Sequence, residues 1–180
     1  MCVVGRRLRS RLVRLDDFIT QTAQDPTIRR VRGTAVFLAS NPDGTPVALA
    51  QNIKHNRVLH ERVVILSFQT SPLPHVPLEQ RVSLQPLAHG FWRVVAHFGF
   101  MEDPEIGPVR DTCAQNGLSW TDFETTYFLG RESIVQSRHP ILSRWRLSLF
   151  GLLSRNAQEP AAFFRLPANR VVELGVQVEL

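Results

Sequence analysis

The sequence holds few of the residues that announce a reaction. Cysteine occurs twice, as Cys2 and Cys113, far apart and in no CxxC spacing. That excludes a disulfide framework and a cysteine-based zinc site. No apolar run approaches the ~20 residues that a helix needs to cross a bilayer. The longest, around residues 63–66 and 149–153, have the length of core elements. Met1-Cys2-Val3-Val4 is too short for a signal-peptide core, and no small-residue cleavage site follows a long apolar stretch. The chain as written is therefore expected to be soluble. GxGxxG, the Walker loop, GxSxG and HExxH are all missing, as are internal repeats and low-complexity tracts.

What is present is an ordinary globular composition, with 43% apolar and 21% charged residues in a chain of 180. That is enough to bury a core in one domain, with or without a short arm. The net charge of +5 is confined to one end. Residues 1–32 carry eight arginines (Arg6, Arg7, Arg9, Arg11, Arg14, Arg29, Arg30, Arg32) against Asp16, Asp17 and Asp25, so the remainder is neutral by count. A nucleic-acid-binding domain carries its basic stripe on the folded body, so no nucleic-acid partner is expected. A terminal cluster suits anionic lipid head groups at Arg6, Arg7, Arg9, Arg11 and Arg14, or is a solvated tail.

Periodicity and breakers predict the elements. Asp16 or Asp17 caps a short helix that buries Phe18 and Ile19 and stops at Asp25-Pro26. Gly33 opens a strand over residues 34–39, and Asn41-Pro42-Asp43-Gly44 is a turn. A helix runs from Pro46 to about Leu59, followed by a strand over 62–68 that is apolar on both faces. Strands over 81–87 and 91–100, joined by Ala88-His89-Gly90, form a hairpin. Pro104 starts a helix that ends at Gly117. A strand over 124–132, a long helix from Pro140 bearing Ile141, Trp145, Leu149, Leu152 and Leu153 on one face, a short helical stretch at 161–164 and a last strand over 170–179 complete the chain. Strands separated by helices pair in parallel through right-handed crossovers. The expected fold is α/β: a mixed, mainly parallel sheet with a β-hairpin and helices on both faces, preceded by a basic helical arm. The expected division is an arm at 1–32 and a domain at 33–180.

Two places could hold a ligand or partner. Asn52, His55 and Asn56 fall on one helix face, and His60 extends that row by a turn. The alternative is that Asn56 and His60 tie down the helix end while Asn52 and His55 are solvated or bond across an interface. A metal at His55 and His60 is disfavoured, because five-residue spacing separates their faces and no Cys or carboxylate sits at ligand spacing. Arg131, in Phe128-Leu129-Gly130-Arg131-Glu132-Ser133, closes a strand where open α/β sheets bind ligands, or it is a turn with a local ion pair. Cys113 has no His at helical spacing, so no nucleophile is indicated. Nothing points to an enzyme, a cofactor or a metal.

Several segments then resemble one family in order. They are Gly33-Thr34-Ala35-Val36-Phe37-Leu38, residues 52–64, residues 91–102, Thr126-Tyr127-Phe128-Leu129-Gly130-Arg131-Glu132, and residues 163–175. Together with Gly5-Arg6-Arg7-Leu8 they resemble the cytoplasmic C-terminal domain of the Kup (HAK/KUP/KT) potassium uptake transporters, over nearly the whole chain. The resemblance implies a regulatory or assembly part of a proton-coupled potassium uptake system at the inner face of the plasma membrane. It implies the transporter's membrane domain as partner and is compatible with a homodimer. Potassium and protons would be handled by that membrane domain, which this chain lacks, so no transport residue maps onto it. A ligand-sensing module for a nucleotide or other anion is the alternative. A stand-alone protein docking through its arm ranks third, because the folded body has no net charge.

Overall fold

A computed structural model describes residues 14–135 and 163–179. In order, these form α1 (Leu15–Gln24), β1 (Arg29–Leu38), α2 (Val47–Asn56), β2 (Val58–Ser71), β3 (Val82–Pro86), β4 (Phe91–Gly99), α3 (Ile106–Gln115), β5 (Thr125–Val135) and β6 (Val171–Glu179). The six strands make one sheet in the order β3-β4-β2-β1-β5-β6. Every neighbouring pair is parallel except the β3–β4 hairpin. The expected mixed, mainly parallel α/β sheet is what the chain forms. The helix expected from Pro140, and residues 161 and 162 of the next stretch, lie outside the described residues.

Central strands sort their side chains to two covered faces. In β1, Ala35 and Phe37 face one core and Val36 the other; in β2, Val63 and Ile65 oppose Val64 and Leu66; all are fully buried. This is why the segments read as continuous apolar runs. One face is closed by Leu15 and Ile19 of α1 and Ala48 and Leu49 of α2. The other is closed by Ile106, Val109 and Cys113 of α3 with Leu118 and Trp120. Leu15 and Ile19, and Ile106, Val109 and Cys113, recur at three- or four-residue steps, the period of a helix stripe. The strands β1 and β5 are joined by stacked rings, Phe37 on Phe128 at 4.5 Å.

Several expected boundaries move. Arg14, not an aspartate, occupies the N-cap position of α1, and Asp16 and Asp17 fall in its first turn, where they favour the positive end of the helix dipole. Gly33 lies inside β1 instead of opening it, at a register shift between Val31 and Thr34. Its φ of +100° and the Glu124 carbonyl oxygen 2.7 Å from where a Cβ would sit both require glycine. α2 ends at Asn56, three residues before the expected Leu59, because Arg57 turns left-handed with φ 54°. Pro104 precedes α3 instead of starting it. Gly117, with φ +90°, does sit just past the end of α3, where Leu118 N–H donates to the Cys113 carbonyl at 2.9 Å.

The proline-rich segment after β2 is fixed by one carboxylate. Glu102 accepts from Gly99 N–H at 2.7 Å and Val76 N–H at 3.2 Å, and pairs with the Arg81 guanidinium. Gly99 admits no side chain there, since a Cβ would lie 2.0 Å from the Pro74 carbonyl oxygen. The Gly99 amide above all, then Val76 N–H, Arg81 and His75, holds the Glu102 carboxyl below its ordinary 4.5. A carboxyl depressed on folding stabilises the fold above its unfolded value, and the contribution disappears as pH falls through the folded one. Glu102→Gln should therefore lower the melting temperature at neutral pH. The gap to the wild type should close as pH drops below about 4.5, read by thermal melts across pH.

Candidate functional site

Asn52 and Asn56 turn out to weld the α2–β2 junction. Asn52 is 4% exposed, and its amide Nδ2 donates to the Val58 carbonyl at 2.8 Å. Its Oδ1 accepts from Asn56 Nδ2 at 2.8 Å. Arg57 continues the weld, reaching Thr27 Oγ1 at 2.6 Å, while its carbonyl accepts from Arg29 N–H. Both side-chain groups of Asn52 are thus spent on the fold. His55 is exposed beside Gln51 Oε1 at 2.9 Å.

His60 is not on that helix. It lies in β2, opposite Val31 of β1, with its ring edge-on to Phe128 at 6.1 Å. Its Nδ1 is buried without a hydrogen-bond partner, and burial pushes the pKa of the ring down. The row expected from Asn52 to His60 therefore splits between a helix and a strand. Arg131 is placed by its backbone, in β5 opposite Gly175, and its side chain lies outside the described residues. Arg14 is exposed and bridges backbone to backbone with Gly44. Arg6, Arg7, Arg9 and Arg11 lie outside the described residues.

The sheet itself makes a different site. From β1 the chain crosses to β2 on one side; from β5 it proceeds to β6 on the other. Adjacent strands whose connections diverge leave a crevice at their carboxyl ends. A cavity of 540 Å³ lies there, walled by Leu38, Leu66, Phe68, Leu129 and Phe164. Phe68 and Phe164 stack at 4.2 Å and make one side of it. Ser40, Asn41 and Thr45 line it from the β1–α2 turn, and the start of α2 and Gly130 complete the lining.

The turn is held in place. Asn41 Oδ1 accepts from Asp43 N–H at 3.1 Å, and Arg93 Nε donates to the Pro42 carbonyl at 2.9 Å. The Arg93 guanidinium also lies 3.8 Å from both Asp16 and Asp43. Leu15 N–H donates to the Asp43 carbonyl at 3.3 Å. So α1, the cavity turn and β4 form one connected unit.

Among the described residues, no Asp, Glu, His, Cys, Lys, Arg or Tyr lines the cavity; its polar side chains are Ser40, Asn41 and Thr45. Elsewhere, burial pushes the Cys113 thiol and the Tyr127 phenol each up to about 12, which keeps both neutral at physiological pH. Among the described residues no three His, Cys, Asp or Glu side chains come together as metal ligands. Sequence reasoning placed the end of a strand at residues 128–133, but β5 runs on to Val135, paired with β6, so Leu129 and Gly130 line the cavity from mid-strand; it did not point to the Asn41–Thr45 turn. Its one signal was a strand, a turn and a helix in succession, with too few glycines to form a recognisable motif.

Comparison with known proteins gives a consistent family. Residues 32–180 match the model of the K+ potassium transporter C-terminal domain. The chain is similar to the "Probable potassium transport system protein Kup" of Myxococcus xanthus, 46% identical over 99% of this chain and 27% of that protein. Similar proteins of Chromobacterium violaceum (Kup 2) and Azoarcus sp. are 46% and 48% identical over 99% of this chain and 28% of theirs. The chain thus spans just over a quarter of the length of these relatives. No solved structure matches.

The contrast between Asn52 and His55 is testable by urea denaturation. Asn52→Ala strands the Val58 carbonyl and should cost about 1–3 kcal/mol. His55→Ala, on the exposed side of the same helix, should stay within about 0.5 kcal/mol of the wild type.

Proposed function

The chain belongs to the K+ potassium transporter C-terminal domain family, and on that premise we propose that it is the regulatory and assembly part of a proton-coupled potassium uptake protein. In this reading it sits at the inner face of the plasma membrane and adjoins a membrane domain that carries the ions. The observation behind it is the match of residues 32–180 to the family, together with alignment of almost the whole chain to a quarter of proteins named for potassium transport. Among the described residues no helix is long and apolar enough to cross a membrane. A role in binding and coupling, not catalysis, fits the cavity chemistry, and a homodimer of the transporter would place two such domains side by side. Potassium uptake by cells carrying the full-length transporter, with and without residues 15–180, tests this. Deletion should leave a conducting but misregulated or poorly assembled transporter. Unchanged uptake, regulation and assembly would overturn the reading.

A ligand-sensing role within the same domain is favoured by one observation, the cavity between β1 and β5. Because no Lys or Arg lines it, the part of a ligand seated there would be uncharged, with any anionic group directed to the first turn of α2. Gly130 borders α2, and a Cβ built there is 3.6 Å from Ala48 N, so a larger side chain would enter the cavity mouth. Thermal shift against a nucleotide panel should show stabilisation in the wild type that Gly130→Val reduces at least tenfold in apparent affinity. No shift with any nucleotide, or a shift insensitive to Gly130→Val, would leave the cavity without a sensing role.

A further inference from the structure

Strand β1 starts before its sheet does. Arg29, Arg30 and Val31 pair with Val58, Leu59 and His60 of β2. β5 joins β1 only from Thr34, and β4 joins β2 only from Val63. The first part of the ladder is therefore a two-stranded ribbon that runs out past the amino end of the sheet. Residues 29–32 are all exposed, whereas residues 34–37 are all buried.

The two outer edges of this ribbon differ. Arg30 closes the edge on the β2 side. Its guanidinium donates to the His60 carbonyl at 2.9 Å and the His89 carbonyl at 3.0 Å, and it lies over the Phe91 ring. Gly90 packs against the Glu61 carbonyl on the same side. The edge on the β1 side has no such cover among the described residues. Arg29 N–H donates to the Arg57 carbonyl at 2.9 Å, and the parallel register continues from there. Arg29 and Val31 thus spend their backbone groups on β2, and the planar peptide units between them turn the remaining groups outward. The N–H and C=O of Arg30 and the N–H of Arg32 lie on the open edge, where they meet no backbone partner among the described residues.

That edge is also basic. Arg29 and Arg32 make no ion pair or side-chain hydrogen bond among the described residues. Arg62 is held by the Ser119 carbonyl, and Arg57 is offset by Asp25 at 3.5 Å. Arg29, Arg30, Arg32 and Arg62 therefore outnumber the exposed Glu61 and Glu124. Three arginines that the sequence groups with a basic arm stand, in the fold, on a strand.

We propose that residues 29–32 of β1 are a strand-addition site for an acidic, extended segment of another protein. The segment pairs its backbone with Arg30 and Arg32, and its carboxylates meet the Arg29 and Arg32 guanidiniums. Because side chains alternate along a strand, Arg29 and Arg32 serve opposite faces of the added strand. An arginine-lined edge repels a second copy of itself and admits a strand of opposite charge. Phosphate groups would satisfy the guanidiniums, but they carry no donor for the Arg30 carbonyl. A polypeptide presents donors and acceptors in the order that this edge needs. The site lies at the amino ends of the strands, away from the cavity, and stands independently of the ligand-sensing reading.

The full 180-residue chain, mixed with a capped peptide of alternating Glu and Thr, tests this. At saturation the peptide should slow amide exchange at Arg30 and Arg32 about tenfold or more, read by NMR. The amides of Arg29 and Val31, already bonded to β2, should change little. Arg29→Glu combined with Arg32→Glu should weaken peptide affinity about tenfold or more, read by fluorescence anisotropy. An N-methylated peptide of the same sequence keeps the charge and loses its backbone donors. It should bind the wild-type chain about tenfold or more weakly, a comparison that needs no variant to fold. Unchanged exchange at Arg30 and Arg32 would overturn the site, even where the peptide binds arginines elsewhere in the chain. Equal affinity for the N-methylated peptide would also overturn it, leaving a charged patch without strand pairing. Protection of the same amides by phosphatidylglycerol vesicles, or by a higher concentration of the chain alone, would give the edge to a membrane or a second copy instead.

Discussion

Strand β1 is paired in parallel on both edges and covered on both faces, and the rest of the domain follows from that. Parallel neighbours cannot be joined by tight turns, so the chain must cross over the sheet between them. The crossover from β1 to β2 places α2 on one face, and the passage from β4 to β5 places α3 on the other. Burial of Ala35, Val36 and Phe37 is thus completed by helices from both directions. Because the connections beside β1 and β5 diverge, the same pairing leaves the cavity where β1 ends, beside Leu129 and Gly130 of β5.

That arrangement gathers several surface features at one edge. The cavity, the turn after β1, the first turn of α1 and the exposed Phe100 and Met101 after β4 all lie toward the carboxyl ends of the strands. Arg93 of β4 links the turn after β1 to the first turn of α1 by reaching Pro42, Asp43 and Asp16. The Leu15 N–H bond to the Asp43 carbonyl ties the start of α1 to the same turn.

Much of the fold was legible because local rules and burial agreed. The 63–66 run of β2 is buried on both faces, the Ala88-His89-Gly90 turn makes a hairpin, and the last strand lies where alternation put it. Boundaries failed where a tertiary contact overrode the local pattern. Helix α2 stops at Asn56 because the buried Asn52 amide takes the Val58 carbonyl, a bond across six residues that helical periodicity cannot reveal. His60 was drawn into the helix row for the same reason. The polar face that looked most like a ligand site is largely a structural joint. The cavity, built from three strands, a turn and Phe164 far along the chain, had no contiguous motif to show.

The sequence by itself determined the element types, the mainly parallel sheet, the concentration of arginine at one end and the family. Each of these is written in local periodicity, composition or short ordered motifs. Only the tertiary structure decided which polar side chains are spent on the fold and which apolar ones remain outside it. Asn52 and Glu102 became scaffold, while Phe100 and Met101 became surface. Those outcomes depend on which backbone groups meet across the sheet, and residues far apart in the chain settle that only when the strands pair.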